Sequence, residues 1–190
     1  LATLAGLADQ SLLQLNENGR YQLHPLLRQF ARQKLAAMPK EAANAKAQHS
    51  QHFLPMLQAH APALKSEQHL ALTELRQTFN DVRQAWETAV QHQETDALQG
   101  AIEPYYHLLR LTGRFETGAN QFKQAASQCQ HLPALHLRLL NRQAAFHVWL
   151  GTYGLARELL QQALAQARQQ QNKPEAAFAL NLLGNVSDIQ

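Results

Sequence analysis

The chain has 190 residues, 45% of them hydrophobic, with only eight glycines and seven prolines. That is enough to bury a core, and too few chain breakers for a turn-rich β fold. Seventeen basic and fourteen acidic residues spread along the sequence leave a formal charge of +3, which does not announce a nucleic-acid surface. One cysteine, Cys129, excludes an internal disulfide framework and fits a reducing, cytoplasmic setting. No segment has the length of a transmembrane helix or the charged start of a secretory signal, the run from Leu1 to Leu7 being too short. Alanine, leucine and glutamine dominate, so a nearly all-α chain with one small hairpin is expected.

Leu12, Leu13 and Leu15 lead into Asn16-Glu17-Asn18-Gly19, whose Asn-Gly pair tolerates positive φ, and Tyr21 and Leu23 alternate on the return. Ser11 to His24 therefore reads as a β-hairpin. Pro25 suits the first turn of a helix in which Leu26, Leu27, Phe30, Ala31 and Leu35 recur at helical spacing while Arg28, Arg32 and Lys34 take the other side. His24 thus stands where strand becomes helix. Its imidazole can cap that helix, or donate a hydrogen bond to a phosphate oxygen that the positive helix end also favours.

Beyond Pro39, an apolar stripe of Ala45, His49, Phe53, Met56, Leu57 and Leu64 predicts a helix kinked or ended at Pro55 and Pro62. Leu70, Leu72, Leu75, Phe79, Val82, Trp86 and Val90 predict a second helix, antiparallel to the first. Within it Val82, Ala85 and Trp86 read as core, and Asn80 and Arg83 as local capping or pairing.

The last half of the chain repeats. Gly113-Arg114-Phe115 and Gly151-Thr152-Tyr153 align 38 residues apart; Gly118, Phe122 and Ala125 in the first unit match Ala156, Leu160 and Ala163 in the second. Small residues at these points let helices approach and large ones fill between them. The spacing predicts helix pairs over 97–112 with 114–129 and 135–150 with 153–170, a third beginning near Pro174, and glycines ending the first helix of each pair. The rhythm resembles tetratricopeptide (TPR) repeats, lengthened from their usual period of about 34 residues. That resemblance implies a right-handed superhelix of helical hairpins whose concave face, lined by first helices, docks a protein or peptide. Tyr105, Arg110, Arg142 and Phe146 are the candidate contacts, with Tyr106, Leu109 and Trp149 beside them, since aromatics next to arginine make good anchors. The competing reading places most of these side chains between helices, Tyr106 and Trp149 foremost.

Sites of chemistry are scarce. Neither a Gly-x-x-x-x-Gly-Lys-Ser/Thr loop nor a Gly-x-Gly-x-x-Gly run occurs. His49 with His52, and His131 with His136, lack companions that would complete a metal site. Glu94 with Asp96, and Glu116 with Glu158, give no sign of a shared pocket. Direct DNA reading is disfavoured because Leu1 to Gln10, the segment before the hairpin, contains no Lys or Arg, and Arg20 alone sits near the hairpin tip.

Residues 1–38 resemble the second half of the winged-helix subdomain of STAND-class signal-transduction ATPases, relatives of the NB-ARC switches. Leu23-His24-Pro25 stands where that class carries Met-His-Asp, whose histidine touches the β-phosphate of bound ADP; here only the histidine is kept, with leucine for methionine and proline for aspartate. Phe79-Asn80-Asp81-Val82-Arg83-Gln84-Ala85-Trp86 is similar to the segment that joins such switches to helical repeats. The resemblance implies a fragment of a bacterial, cytoplasmic regulator: 1–38 ending a winged helix, 39–96 a helical linker pair, 97–190 TPR-like repeats with the third truncated. It implies ADP or ATP bound by an upstream nucleotide-binding domain, no cofactor and no catalysis within the fragment, and His24 as the nucleotide-sensing residue. A TPR scaffold or transcription regulator without nucleotide dependence is the alternative.

Overall fold

The structure, a computed structural model, describes residues 2–15 and 21–187. It is mostly helical, with one small two-stranded antiparallel sheet. The chain divides into two units, Leu1–Ala47 and Gln48–Gln190.

In the first unit α1 (Ala2–Asp9) stops where Ser11 takes a φ of 58°. Strands β1 (Leu13–Leu15) and β2 (Tyr21–Leu23) then pair with Leu13 opposite Leu23 and Leu15 opposite Tyr21. The expected turn at Asn16 to Gly19, and Arg20, lie outside the described residues. Helix α2 (Pro25–Ala36) opens on Pro25, whose fixed φ suits a first turn and whose missing N–H would have had no helical partner. Its apolar stripe exists as read but finds no cover: Leu26 and Phe30 are 69% and 57% exposed, and no residue of α2 is buried. Among the described hydrophobic residues of this unit, Leu13 alone is buried.

The division into units falls within α3 (Pro39–Ala59). Pro55 neither ends nor bounds this helix; it lies inside it, one turn before the end. The residues that α3 buries are Ser50, Leu54 and Leu57; Leu57 was expected there, Ser50 and Leu54 lie one position round from the expected His49 and Phe53, Phe53 and Met56 pack half-buried on the core, and Ala45 is exposed. After α4 (Ala63–Ser66), the single helix expected from Leu70 to Val90 is two, α5 (Gln68–Gln77) and α6 (Phe79–His92). They break at Thr78, whose φ of −102° and ψ of 8° leave the helix while its hydroxyl donates back to the Glu74 and Leu75 carbonyls at 3.4 and 3.5 Å. The break turns Leu70 outward, 66% exposed, and Ala71 and Leu75 inward.

The repeating half follows its sequence closely. Helices α7 (Thr95–Leu111) and α8 (Phe115–Gln128), then α9 (Pro133–Trp149) and α10 (Tyr153–Gln169), form hairpins, and α11 (Lys173–Ser187) follows. Gly113 and Gly151 sit at φ 68° and 72° with open space around them, so the left-handed backbone and not a close approach is what requires glycine there. Each closes its helix in the same way. Arg114 N–H donates to Leu109 O at 2.9 Å and Thr152 N–H to His147 O at 3.0 Å, the six-to-one bond of a Schellman ending. Helices α6 and α10 end identically but with glutamine in the left-handed position, Gln93 at 54° and Gln171 at 53°.

One hydrophobic cluster runs from Leu54 to Phe146, so α4 to α6 share a core with α7 to α9 and there is no gap in packing at the expected 96/97 boundary. Its centre is aromatic. Trp86 lies 4.8 Å from Tyr105 and 5.2 Å from Phe122, and Phe122 lies 5.7 Å from Phe146, all four fully buried. Gly118 is small for a reason of space: a Cβ there would lie 2.5 Å from the Phe146 ring. Ala163 and Ala167 pack on Leu137 and Leu140, and Ala144, Leu160 and Ala179 bring in α11.

Candidate functional site

His24 is the N-cap of α2. Its backbone, at φ −54° and ψ 140°, has not yet turned helical, and its Nδ1 accepts from the Leu26 N–H at 3.3 Å. With Nδ1 so used, the neutral ring carries its proton on Nε2, and that donor is on an exposed side chain at the positive end of α2, whose first turn contains no acidic residue. The ring can make one contact to an anion. Arg28, one turn along α2, is also exposed.

The four residues expected to form a partner surface separate into two kinds. Tyr105 and Phe146 are fully buried and form no surface. Helix α7 turns Tyr105 against Trp86 and Phe122, where burial pushes its phenol up and its hydroxyl has no partner; Phe146 fills the space that Gly118 leaves. Arg142 is also withdrawn from any partner, at 5% exposure. Its Nε donates to Glu103 Oε1 at 3.0 Å, its Nη1 to Glu175 Oε2 at 2.9 Å, and its Nη2 to Glu175 Oε1 at 3.1 Å and to Glu103.

Around this guanidinium the polar groups are nearly all satisfied. Asn141 Nδ2 donates to Glu175 Oε2 at 2.8 Å, Arg138 reaches Gln99 O at 3.1 Å and Glu103 at 3.5 Å, and the Phe178 ring lies 3.9 Å from the Arg142 guanidinium carbon. Burial alone would raise the Glu103 carboxyl, but Arg142 and Arg138 overcome it and hold it below the usual range. Burial likewise opposes the Arg142 charge, and Glu103 and Glu175 more than restore it. Glu103, Arg142 and Glu175 come from α7, α9 and α11, so the network clamps the first helices of two successive hairpins to the helix that follows them.

Arg110 differs from the other three. It is half-buried near the end of α7, and its Nε is buried without an acceptor. Trp149, expected in the core, is half-exposed: it ends α9 and lies flat on Phe115, ring centroids 5.7 Å apart at 15°, instead of pointing inward. Tyr106 is buried, as expected. The residues that sequence reasoning missed are Glu103 and Glu175. Glu103 and Arg142 are 39 residues apart, close to one repeat, and opposite charges at equivalent points of successive first helices are the signal that would have found them.

Other candidates come to less. His49 Nε2 meets Asp81 at 3.5 Å and His52 lies edge-on to Phe53; among the described residues no three His, Cys, Asp or Glu gather as metal ligands. Arg83 pairs with Glu87 at 3.2 Å, one turn along α6. A shallow groove of about 650 Å³ is lined by Gln130, Gln162, Gln166, Gln169 and Gln170 with Pro133 and His136. No described helix is long and apolar enough to cross a membrane. No family model, no curated protein and no solved structure matches this chain.

Proposed function

We propose that the chain is the sensor portion of a cytoplasmic STAND-type nucleotide-switch regulator. In this reading α7 to α11 are TPR-like repeats of a right-handed superhelix, their concave face binds a protein or peptide, and the event is relayed to an ADP/ATP switch that His24 helps hold closed. The upstream nucleotide-binding domain would cover Leu26 and Phe30 on α2. The fragment itself binds no cofactor, turns over no substrate, reads no nucleic acid and enters no membrane.

The observation that carries the proposal is the pair of helical hairpins closed by identical left-handed glycines 38 residues apart, an arrangement suited to a stacked docking array. The outward Nε2 donor of His24 supports the switch half. In the parent protein His24→Asp keeps the helix cap but sets a carboxylate against the phosphate. ADP carried through purification should then be lost, as it should in His24→Ala; ADP retained in both variants removes the switch role. The scaffold or transcription-regulator reading, without nucleotide, draws on the capping bond that already occupies the His24 ring. It predicts that His24→Asp behaves as the unaltered protein.

A further inference from the structure

Five glutamines gather between the α8–α9 connection and α10. The groove that they line with Pro133 and His136 holds about 650 Å³, within the range of ligand sites, and its walls contain no Lys, Arg, Asp or Glu. The side chains of Gln130, Gln162, Gln166 and Gln169 form no hydrogen bond among the described residues. Gln170 uses only its Nε2, which donates to Pro133 O at 3.1 Å. His136 Nδ1 donates to Ala126 O at 2.9 Å, which leaves Nε2 of the neutral ring as an acceptor. Gln162 is exposed and Gln166, Gln170 and His136 are half-buried, so a ligand from solvent reaches all of them.

The spacing of these carboxamides has a counterpart in an extended chain. Gln162, Gln166 and Gln170, the last being the C-cap, follow one another at four-residue intervals, so they climb one face of α10 in steps of about 6 Å. An extended chain turns both the N–H and the C=O of every second residue to the same side, and those residues recur at about 6.6–6.8 Å. One carboxamide carries a donor and an acceptor and can answer both groups. The two periods differ by under about 1 Å per step, which the flexible glutamine side chain absorbs. We propose that this groove binds an extended peptide segment through its main chain, Gln162 and Gln166 each pairing with the N–H and C=O of one residue and Gln170 offering its carbonyl at the next step. With no charge in its walls, the groove takes segments of uncharged side chains. Its ladder belongs to α10, the second helix of a hairpin, so the site is separate from the first-helix face and does not rest on a partner docking there.

The test titrates the full chain with a capped hexapeptide of alternating serine and threonine and follows the side-chain amide signals of Gln162 and Gln166 by NMR. Two N-methylated forms of the peptide accompany it, one methylated at every second residue and one at all six. A ladder that reads one edge should bind the alternately methylated form within about threefold of the parent, because that form can turn its intact edge to the glutamines. The fully methylated form should bind about tenfold or more weakly, as the loss of two hydrogen bonds implies. The double variant Gln162→Ala, Gln166→Ala should lose the parent peptide to the same degree at an unchanged melting temperature. Should it unfold, the methylation series on the unaltered chain decides alone. Binding of the fully methylated form as tight as the parent, loss of the alternately methylated form, or silence of both glutamine signals overturns the proposal. Shifts of those signals with a neutral glucose oligomer and none with the peptide would make the groove a sugar site and overturn it as well.

Discussion

The two units carry amphipathic helices of similar quality and treat them differently. In Leu1–Ala47 the stripe of α2 is well formed, yet Leu26 and Phe30 are more than half exposed. In Gln48–Gln190 the corresponding stripes of α6 to α10 meet one another and bury Trp86, Tyr105, Phe122 and Phe146 completely. Periodicity states which face of a helix needs cover; only a neighbour of matching length and spacing supplies it. Repeats supply that neighbour within their own sequence, because each pair presents to the next the surface that the previous pair presented to it. The helix after the hairpin finds no such copy among the described residues.

That contrast can be broken most severely at the ionic clamp. Arg142→Ala leaves Glu175, 6% exposed, with only the more distant Arg138 Nε at 3.9 Å for a charge partner, and should cost about 3–5 kcal/mol in urea unfolding. Arg142→Met with Glu175→Leu, which removes both charges of the inner pair, should recover most of that loss. A cost below about 1 kcal/mol for the single variant, the level of a surface ion pair, would mean the network is solvated. Next, Gly118→Ala drives a methyl into the Phe146 ring and should cost about 1–3 kcal/mol by overpacking; an unchanged melting temperature would mean that α8 and α9 separate freely.

Acid should sharpen the comparison further. The folded Glu103 carboxyl lies below its ordinary value of 4.5, so the stability it contributes is present above that value and is lost as pH falls through the lowered folded one. Melting temperature should therefore fall more steeply in acid for the unaltered chain than for Glu103→Gln; superimposable slopes would contradict the clamp. The smallest effect belongs to the first unit. Leu26→Ser and Phe30→Ser remove apolar groups that folding within this chain does not bury, and each should shift stability by no more than about 0.5 kcal/mol.

The parts of the fold read best from sequence are those fixed by local rules. The hairpin, the start of α2 at Pro25 and the helix ends at Gly113 and Gly151 follow from φ preferences, and the repeat register follows from alternating small and large residues. The break at Thr78 went unread because a threonine that returns its hydroxyl to the preceding turn can sit inside a helix or at its end, whereas Pro55 was given two outcomes, a kink or an end, of which the end does not occur. Gln93 and Gln171 were invisible as helix ends, since nothing but the Schellman bonds of the folded chain places glutamine in the left-handed region. In the candidate site, Arg110 was read as a contact on a first helix, and of the four named contacts it is the one that is not buried. Tyr105, Arg142 and Phe146 were read both as contacts and, in the competing reading, as filling between helices, because a stripe three or four residues wide does not state which of its members points between helices. Trp149 erred in the other direction, as a large aromatic at a helix end that stacks on a neighbour instead of entering the core.

The account depends most on the claim that α7, α8 and α9 form one cooperative core built by repetition, in contrast to the uncovered α2. Native-state hydrogen exchange followed residue by residue tests it directly. Amides around Tyr105, Phe122 and Phe146 should exchange only with global unfolding, while those of Leu27 to Leu35 exchange through far smaller openings. Equal protection of the two sets, or faster exchange in α7 than in α2, would contradict it.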